Sequence, residues 1–320
     1  MVVVHKDFLM TQWRDRIQEF IPDAKIGKIQ QNTIDIEGKD IVLAMVQSLS
    51  MKEYDEGTFD SFGLVVFDEC HHLGAEVFQK SMAKVASKYS MGLSATPKRK
   101  DGLTKVFEWF IGPIVFSQKT KNEDYAEVQL IPFESEDILY NKVELNFRRE
   151  PCMPKMINNI CEFLPRTQTI VDLITKYNKE GRTILILSDR RGHLKTLYEM
   201  LSNLSRGFYV GGMKPNELRE SQTKDILLAT FSMASEGMDI PSLDTVILSS
   251  PKSDVEQSVG RIFRKKACDR KFHPLIIDIQ DEFSMFEKQC MKRVTFYRKM
   301  NFTLFKLSLI HISEPTRRTP

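Results

Sequence analysis

Leu64-Val65-Val66-Phe67-Asp68-Glu69-Cys70-His71-His72 is the stretch that decides the fold class of this chain. Leu64 to Phe67 form an unbroken apolar run, which suits a strand buried on both faces of a parallel sheet. Asp68 and Glu69 follow at its carboxyl end, the position at which open α/β sheets hold their ligands. Adjacent carboxylates there can divide the work: one fixes a hard divalent cation, the other orients or deprotonates an attacking water. A strand that simply runs into a solvated acidic turn is the plainer alternative.

Working outward, one amphipathic helix separates this stretch from a second apolar run that closes in Ser94-Ala95-Thr96. Upstream, Val2-Val3-Val4 reads as a buried strand, and Leu9, Trp13, Ile17 and Phe20 fall on one face of the helix after it. Ile41–Ser50 is a further apolar strand that leads into Gln47-Ser48-Leu49-Ser50. Downstream lie a basic loop at Pro97–Gly102 and an aromatic helix around Phe107–Phe110. Val115–Lys119 and Ala126–Glu134 alternate as strands, and residues 120–165 read as a connection whose Met153, Met156 and Cys161 are helix packing.

The second half repeats the α/β pattern. Thr183–Ser188, Phe208–Val210, Ile226–Thr230 and Thr245–Leu248 read as short strands, with Leu194, Leu197, Leu201 and Leu204 in one helical stripe. Such alternation implies right-handed crossovers and a second parallel sheet. In Gln257-Ser258-Val259-Gly260-Arg261-Ile262-Phe263-Arg264, helical spacing puts Gln257, Arg261 and Arg264 on one face and Val255, Val259 and Ile262 on the other. The apolar face is expected on the sheet and the guanidinium face in a cleft, where arginines suit a polyphosphate. From Glu282 a helix carries Phe283, Phe286, Cys290, Val294 and Tyr297 as a stripe, with Lys288, Lys292, Arg293, Arg298 and Lys299 around it.

Composition limits the classes. The 320 residues suggest about two domains. A net charge of +3 does not by itself argue for nucleic acid, so any basic surface must be local. The five cysteines form no C-x-x-C pair, which argues against a zinc site or a disulfide framework and for reduced thiols. No apolar run reaches membrane-spanning length, and the N-terminus lacks a signal-peptide layout.

Together, Asp68-Glu69-Cys70-His71 and Ser94-Ala95-Thr96 resemble the DEAH-type box and the S-A-T motif of superfamily-two helicases. Val2–Trp13 resembles motif Ia, Gln47–Ser50 the next backbone-contacting motif, Thr230–Asp239 motif V and Gln257–Arg264 motif VI. These stand in family order from Val2 to about Asp281. The wording A-T-P-K-R-K-D-G-L is similar to the XPB-like group, and S-P-K-S-D-V-E-Q-S-V-G-R to versions carried by large DNA viruses.

The resemblance implies an α/β fold of two RecA-like lobes with parallel sheets, binding ATP and Mg²⁺ between them. It gives Asp68 the metal and Glu69 the role of general base, with Arg261, Arg264 and Gln257 as catalytic partners. Gly237 and Asp239 join Asp68, Glu69 and the two arginines at the nucleotide. His71, Ser94 and Thr96 couple that site to the second lobe, while Glu236 matches motif V without a role of its own. Lys6, Gln12, Gln47, Ser48 and Thr230 contact nucleic acid. The expected substrate is DNA, in a viral transcription or repair setting within the cell: host cytoplasm, virus factory or nucleus. A double-strand translocase that does not separate strands, and a non-catalytic nucleic-acid-binding module, are the alternatives.

The expected domains are an ATP-binding lobe at 1–119, the connection at 120–165, a helicase C-terminal lobe at 166–281 and a terminal helix at 282–306. The family's phosphate loop, G-x-x-x-x-G-K-[ST], is not in the sequence: Gly27-Lys28 and Gly38-Lys39 lack both the following Ser or Thr and the earlier glycine. The expectation is therefore a truncated and inactive motor, with apolar surface uncovered around Val2–Val4 and Leu64–Phe67. Residues 307–320 read as translated sequencing adapter rather than as part of the protein.

Overall fold

The structure, a computed structural model, describes residues 1–70, 75–85, 87–94, 104–117, 125–235 and 238–307. The chain forms two compact units, Met1–Lys119 and Thr120–Pro320.

The first unit runs β1 (Val2–Val4), α1 (Asp7–Phe20), β2 (Ile26–Gln30), β3 (Thr33–Asp35), β4 (Ile41–Met45), α2 (Val46–Met51), β5 (Leu64–Phe67), α3 (Ala75–Lys84), β6 (Tyr89–Gly92) and α4 (Thr104–Phe110). Its sheet has the order β3-β2-β4-β1-β5-β6 and is parallel except for the β2–β3 hairpin. β1 is thus an interior strand, with Val3 packed on one face of the sheet and Val2 and Val4 on the other. Val2–Val4, Val65 and Phe67 are buried, contrary to the exposure expected of them. Leu64 is exposed as expected, and further exposed apolar surface lies on and after the edge strand β6, at Tyr89, Met91 and Leu93. An edge strand has a neighbour on one side only, so its side chains are covered less completely than those of β1 and β5.

Several local expectations differ from the structure. Phe20, at the last position of α1, is 75% exposed and does not share the buried face of Leu9 and Ile17. Val115–Ser117 forms no strand, and the rest of that expected strand lies outside the described residues. Gly27 sits in the β2–β3 hairpin, where a Cβ would collide with the Asp35 carbonyl oxygen; close strand approach explains this glycine.

The second unit runs β7 (Glu127–Phe133), α5 (Met153–Glu162), α6 (Leu164–Lys179), β8 (Ile184–Leu187), α7 (Arg191–Met200), β9 (Arg206–Tyr209), α8 (Pro215–Ser221), β10 (Ile226–Ala229), α9 (Phe231–Ser235), β11 (Thr245–Leu248), α10 (Glu256–Val259), β12 (Leu275–Asp281), α11 (Met285–Lys299) and β13 (Thr303–Lys306). Its seven strands, ordered β13-β7-β12-β11-β8-β10-β9, are all parallel. The segment 120–165, expected as a connection, therefore supplies an interior strand, β7. The segment 282–306, expected as a helix, ends in the edge strand β13.

Central and edge strands carry the patterns that parallel sheets impose. β8 (ILIL), β10 (ILLA) and β11 (TVIL) are buried at every position, whereas the edge strand β9 (RGFY) alternates. Ile184 and Ile186 face one core; Leu185 and Leu187 face the other. Burying each such side chain contributes about 1.5–3 kcal/mol.

β12 is buried throughout yet contains Asp278 and Asp281. Arg293 of α11 binds Asp278 at 2.8 Å, and the Tyr297 hydroxyl donates to the same carboxylate at 3.0 Å. Arg166 of α6 binds Asp281 through two nitrogens at 2.7 and 2.9 Å, and the Tyr140 hydroxyl donates to it at 2.7 Å. These arginines also donate to Lys252 O and Ser249 O, tying down the loop after β11. Arg293, read as one of the charges around the helix stripe, is thus 2% exposed and part of the core.

Candidate functional site

In the first unit, the ends of β1, β5 and β6 are laced together beside the acids. The Asp68 N–H donates to Val3 O at 3.0 Å, and the Leu93 N–H donates to Phe67 O at 2.9 Å. The Asp68 carboxylate is held by neutral donors. The Trp13 indole N–H of α1 reaches Oδ2 at 2.7 Å, and the Glu69 N–H reaches Oδ1 at 2.9 Å. No cation pairs with Asp68 among the described residues, so its charge is oriented but not cancelled. A carboxylate has about four acceptor sites, and two donors leave the others for a cation.

Glu69 has a φ of +46°, a left-handed conformation uncommon outside glycine. Strain of this kind costs on the order of 1–3 kcal/mol and clusters at functional positions. Among the described residues no group of three or more His, Cys, Asp or Glu is placed to hold a metal alone. One or two carboxylates completed by phosphate oxygens is the usual arrangement for Mg²⁺, and the Asp68–Glu69 donor set fits it.

The expected nucleic-acid residues of this unit divide into two kinds. Gln47 is exposed, and its side-chain amide donates to His5 O at 2.9 Å, which ties the start of α2 to the loop carrying Lys6. Lys6 is half-buried at the N-cap of α1, and burial lowers its ammonium pKa below the ordinary lysine value. Gln12 is half-buried on the same helix. Ser48, by contrast, is buried, and its hydroxyl accepts the Gln31 N–H at 2.9 Å. It braces the β2–β3 turn, where Gln31 has a φ of +50°, and offers no surface contact.

In the second unit, motifs V and VI pack on each other. Thr230 precedes α9 and accepts the Met233 N–H on its hydroxyl at 3.4 Å, and the Ser235 and Ser258 hydroxyls join the two segments at 3.1 Å. Motif VI is not one α-helix. A single turn, Glu256–Val259, passes into a 3₁₀ turn at Gly260–Phe263. Val255, Val259 and Ile262 are buried in the core.

Arg261 does not share an open face with Gln257 and Arg264. It is 8% exposed, and its guanidinium donates to Ala234 O at 2.5 Å, Ser235 O at 2.5 Å and Met238 O at 3.0 Å. The physical reason is that a helix leaves its last carbonyls without intrahelical donors, and the five N–H groups of a guanidinium can satisfy several at once. Gln257 is half-buried, and Arg264 is exposed, with Asp239 at 3.8 Å.

Ser94 is half-buried after β6. His71, Thr96, Glu236 and Gly237, as well as the basic loop at 97–102, lie outside the described residues. Trp13 was not recognisable as part of the site from the sequence, because indole on an apolar helix face reads as core. Its potential signal was the polar N–H, which a half-buried tryptophan must place somewhere.

Residues 1–99 match the family described as type III restriction enzyme, res subunit, and residues 165–266 match the helicase conserved C-terminal domain. The L396 protein of Acanthamoeba polyphaga mimivirus, provisionally named an ATP-dependent RNA helicase, is 36% identical over 99% of this chain and 62% of its own length. QP509L of African swine fever virus, given the same provisional name, is 24% identical over 96% of this chain and 65% of its own length. The chain therefore spans a little under two thirds of these curated relatives. Among solved structures, S. cerevisiae Dbp5 bound to RNA and ADP BeF3 superposes with a TM-score of 0.62 over 95% of this chain and 77% of that one, at 11% identity. That likeness establishes the RecA-like fold alone. The chain thus matches these two domains in this order, and it is similar along nearly its whole length to viral proteins provisionally named helicases.

Proposed function

We propose that the chain is the two-lobe motor region of an ATP-dependent nucleic-acid helicase, with residues 1–119 as the ATP-binding lobe and 166–281 as the C-terminal lobe. The observation that carries this reading is the acid pair at the end of β5. Asp68 is aimed by two neutral donors, and Glu69 is held at a strained φ beside it.

Bound Mg²⁺·ATP would supply the phosphoanhydride whose hydrolysis drives movement. Asp68 would hold the metal, and Glu69 would orient or deprotonate the attacking water. Arg264, exposed in motif VI, is the proposed guanidinium for phosphate charge, which would draw it from Asp239 at 3.8 Å. Arg261 serves as a positioning residue that fixes the motif V segment through its carbonyls. The phosphate loop is not in this sequence, so no residue here is assigned to cradle the β- and γ-phosphates. Lys6, Gln12, Gln47 and Thr230 are the proposed backbone contacts to nucleic acid. Contacts to phosphate carry little sequence information, so binding should be salt-dependent and weakly sequence-selective.

The motif wording favours DNA, with transcription or repair in a viral setting. The names given to the mimivirus and swine-fever-virus relatives favour RNA as the second reading. The test uses tailed DNA and RNA duplexes with Mg²⁺·ATP. It is applied to this chain and to a form carrying a G-x-x-x-x-G-K-[ST] segment ahead of Val2. ATP-dependent strand displacement on DNA is the expected result for the loop-bearing form. Displacement on RNA alone overturns the DNA assignment. ATP turnover without displacement identifies a double-strand translocase, and tight nucleic-acid binding with no turnover identifies a binding module.

A further inference from the structure

Between β7 and α5 the chain closes a short turn that holds an aromatic ring in water. The Cys152 N–H donates to Glu144 O at 2.6 Å, and the Asn146 N–H donates to Glu150 O at 2.8 Å. The Asn146 side-chain oxygen accepts the Arg148 and Glu150 N–H groups at 2.8 and 3.0 Å. Arg149 takes a φ of +59° to complete the turn, and Leu145 and Pro151 form a bridge across its base. Glu144 anchors that base through Lys142 at 2.6 Å and the Asn159 amide at 3.4 Å. At the tip, Phe147 is 91% exposed.

A loose loop could fold such a ring onto the nearby apolar surface and recover about 1.5–3 kcal/mol. This turn is too closely hydrogen-bonded to do so, and the ring stays out. Its flanks are cationic. The Arg148 guanidinium lies 5.4 Å from the Phe147 ring centroid. Arg148 and Arg149 are both exposed, and neither has an ion-pair partner among the described residues. The neighbouring acid, Glu150, is held in place by the Asn146 amide at 3.1 Å and keeps its charge, so the turn's tip carries two guanidinium groups against one carboxylate. A projecting aromatic face with adjacent guanidinium groups is the combination that binds single-stranded nucleic acid: the ring stacks on a base while the cations neutralise phosphates.

We propose that the 144–152 turn is a single-strand contact in which Phe147 stacks on an unpaired base and Arg148 and Arg149 meet the flanking phosphates. The assignment rests on the nucleic-acid reading above and adds a site outside the helicase motifs. The test uses the full 320-residue chain and a single-stranded oligonucleotide carrying 2-aminopurine, whose fluorescence is quenched when the base stacks.

Phe147→Ala should weaken binding about 5–150-fold, the range of one aromatic–base stack, and abolish the quench. Phe147→Trp should keep both. Arg148→Ala and Arg149→Ala should each flatten the salt dependence by about 0.7 in log–log slope, the value for one single-strand phosphate contact. Melting temperature should stay unchanged in all of these variants, because the side chains lie in solvent. Unchanged affinity and quench in Phe147→Ala overturn the assignment. So does a lowered melting temperature with unchanged affinity, which would mark the tip as a packing surface. If the folded wild-type chain binds no single strand at all, the nucleic-acid reading fails and this site fails with it.

Discussion

Asp68 at the end of β5 and Asp278 within β12 are both aspartates on buried parallel strands, but they have different partners. Asp68 is half-buried and accepts from an indole N–H and a backbone N–H. Asp278 is fully buried and shares its charge with the Arg293 guanidinium. Asp281 and Arg166 repeat the second arrangement, also fully buried. A neutral donor fixes where a carboxylate points and leaves its charge for a ligand. A buried arginine cancels the charge and turns the acid into part of the framework. The same residue type is thus left open to a ligand in one unit and built into the framework in the other.

The largest expected effect tests the framework side. Asp278→Ala or Asp281→Ala leaves a buried arginine without its counter-charge and should cost about 3–5 kcal/mol in urea unfolding. Replacing Asp278 and Arg293 together by Leu and Met should recover most of that loss. A single-site cost below about 1 kcal/mol would remove the distinction between the two acid sites.

Glu69→Gln tests the other side. In a form bearing the phosphate loop, ATP turnover should fall by about 10²–10⁴-fold, the usual contribution of a general base. The urea midpoint should remain where it was. An equal fall from Asp278→Asn with unchanged stability would show that β12 also takes part in the chemistry.

The second unit contains a further buried group, His193, whose Nδ1 lies 3.2 Å from the Ser188 hydroxyl. Burial, and next the nearby Arg166 guanidinium, push its imidazole pKa down to about 3. Between that value and about 6.5 in the unfolded chain, the unfolded state binds the extra proton. The contribution of neutral His193 is therefore complete above about pH 6.5 and falls as pH drops, by up to about 1.4 kcal/mol per unit. A loss of about 2 kcal/mol by pH 5 is expected, and His193→Asn should flatten the profile between pH 6.5 and 5. The same slope in the variant would assign the acid sensitivity elsewhere.

The smallest effect concerns Trp13→Phe, which removes one donor from Asp68. Because the site is half-exposed, water can replace the indole, and about 1 kcal/mol or less of stability should be lost. The Mg²⁺ concentration needed for half-maximal turnover should rise a few-fold. No change in metal requirement would mean that Trp13 only packs.

The fold was legible where burial imposes a sequence period. Ile184–Leu187, Ile226–Ala229 and, after Thr245, Val246–Leu248 are apolar without alternation because both faces of an interior parallel strand are covered, whereas Leu64–Phe67 is as apolar but leaves Leu64 exposed. The acid pair was legible for a related reason, since charge directly after such a strand must lie at its open end. The strand at 126–134 was legible, but its place inside the second sheet was not, because the parallel partners of β7, β12 and β13, lie more than a hundred residues further along the chain. Arg293 could have been suspected from its place beside Cys290 and Tyr297 on one helix, and Asp278 from an acid inside an apolar run. Nothing local says that the two meet.

By itself, then, the sequence determined two α/β halves, several of their interior strands though not β2 or β12, the order of the segments that resemble helicase motifs and the positions of Asp68 and Glu69. These depend on period and on neighbours along the chain. Tertiary structure alone decided that Trp13 aims Asp68, that Ser48 is spent on a turn, that Arg261 binds the carbonyls of Ala234, Ser235 and Met238 while Arg264 is exposed beside Asp239, and that Asp278 and Asp281 are locked by arginines. Each of these is a hydrogen-bond choice among polar groups brought together from distant parts of the chain. A donor's partner is set by where the backbone carries it, and spacing along one segment does not encode that.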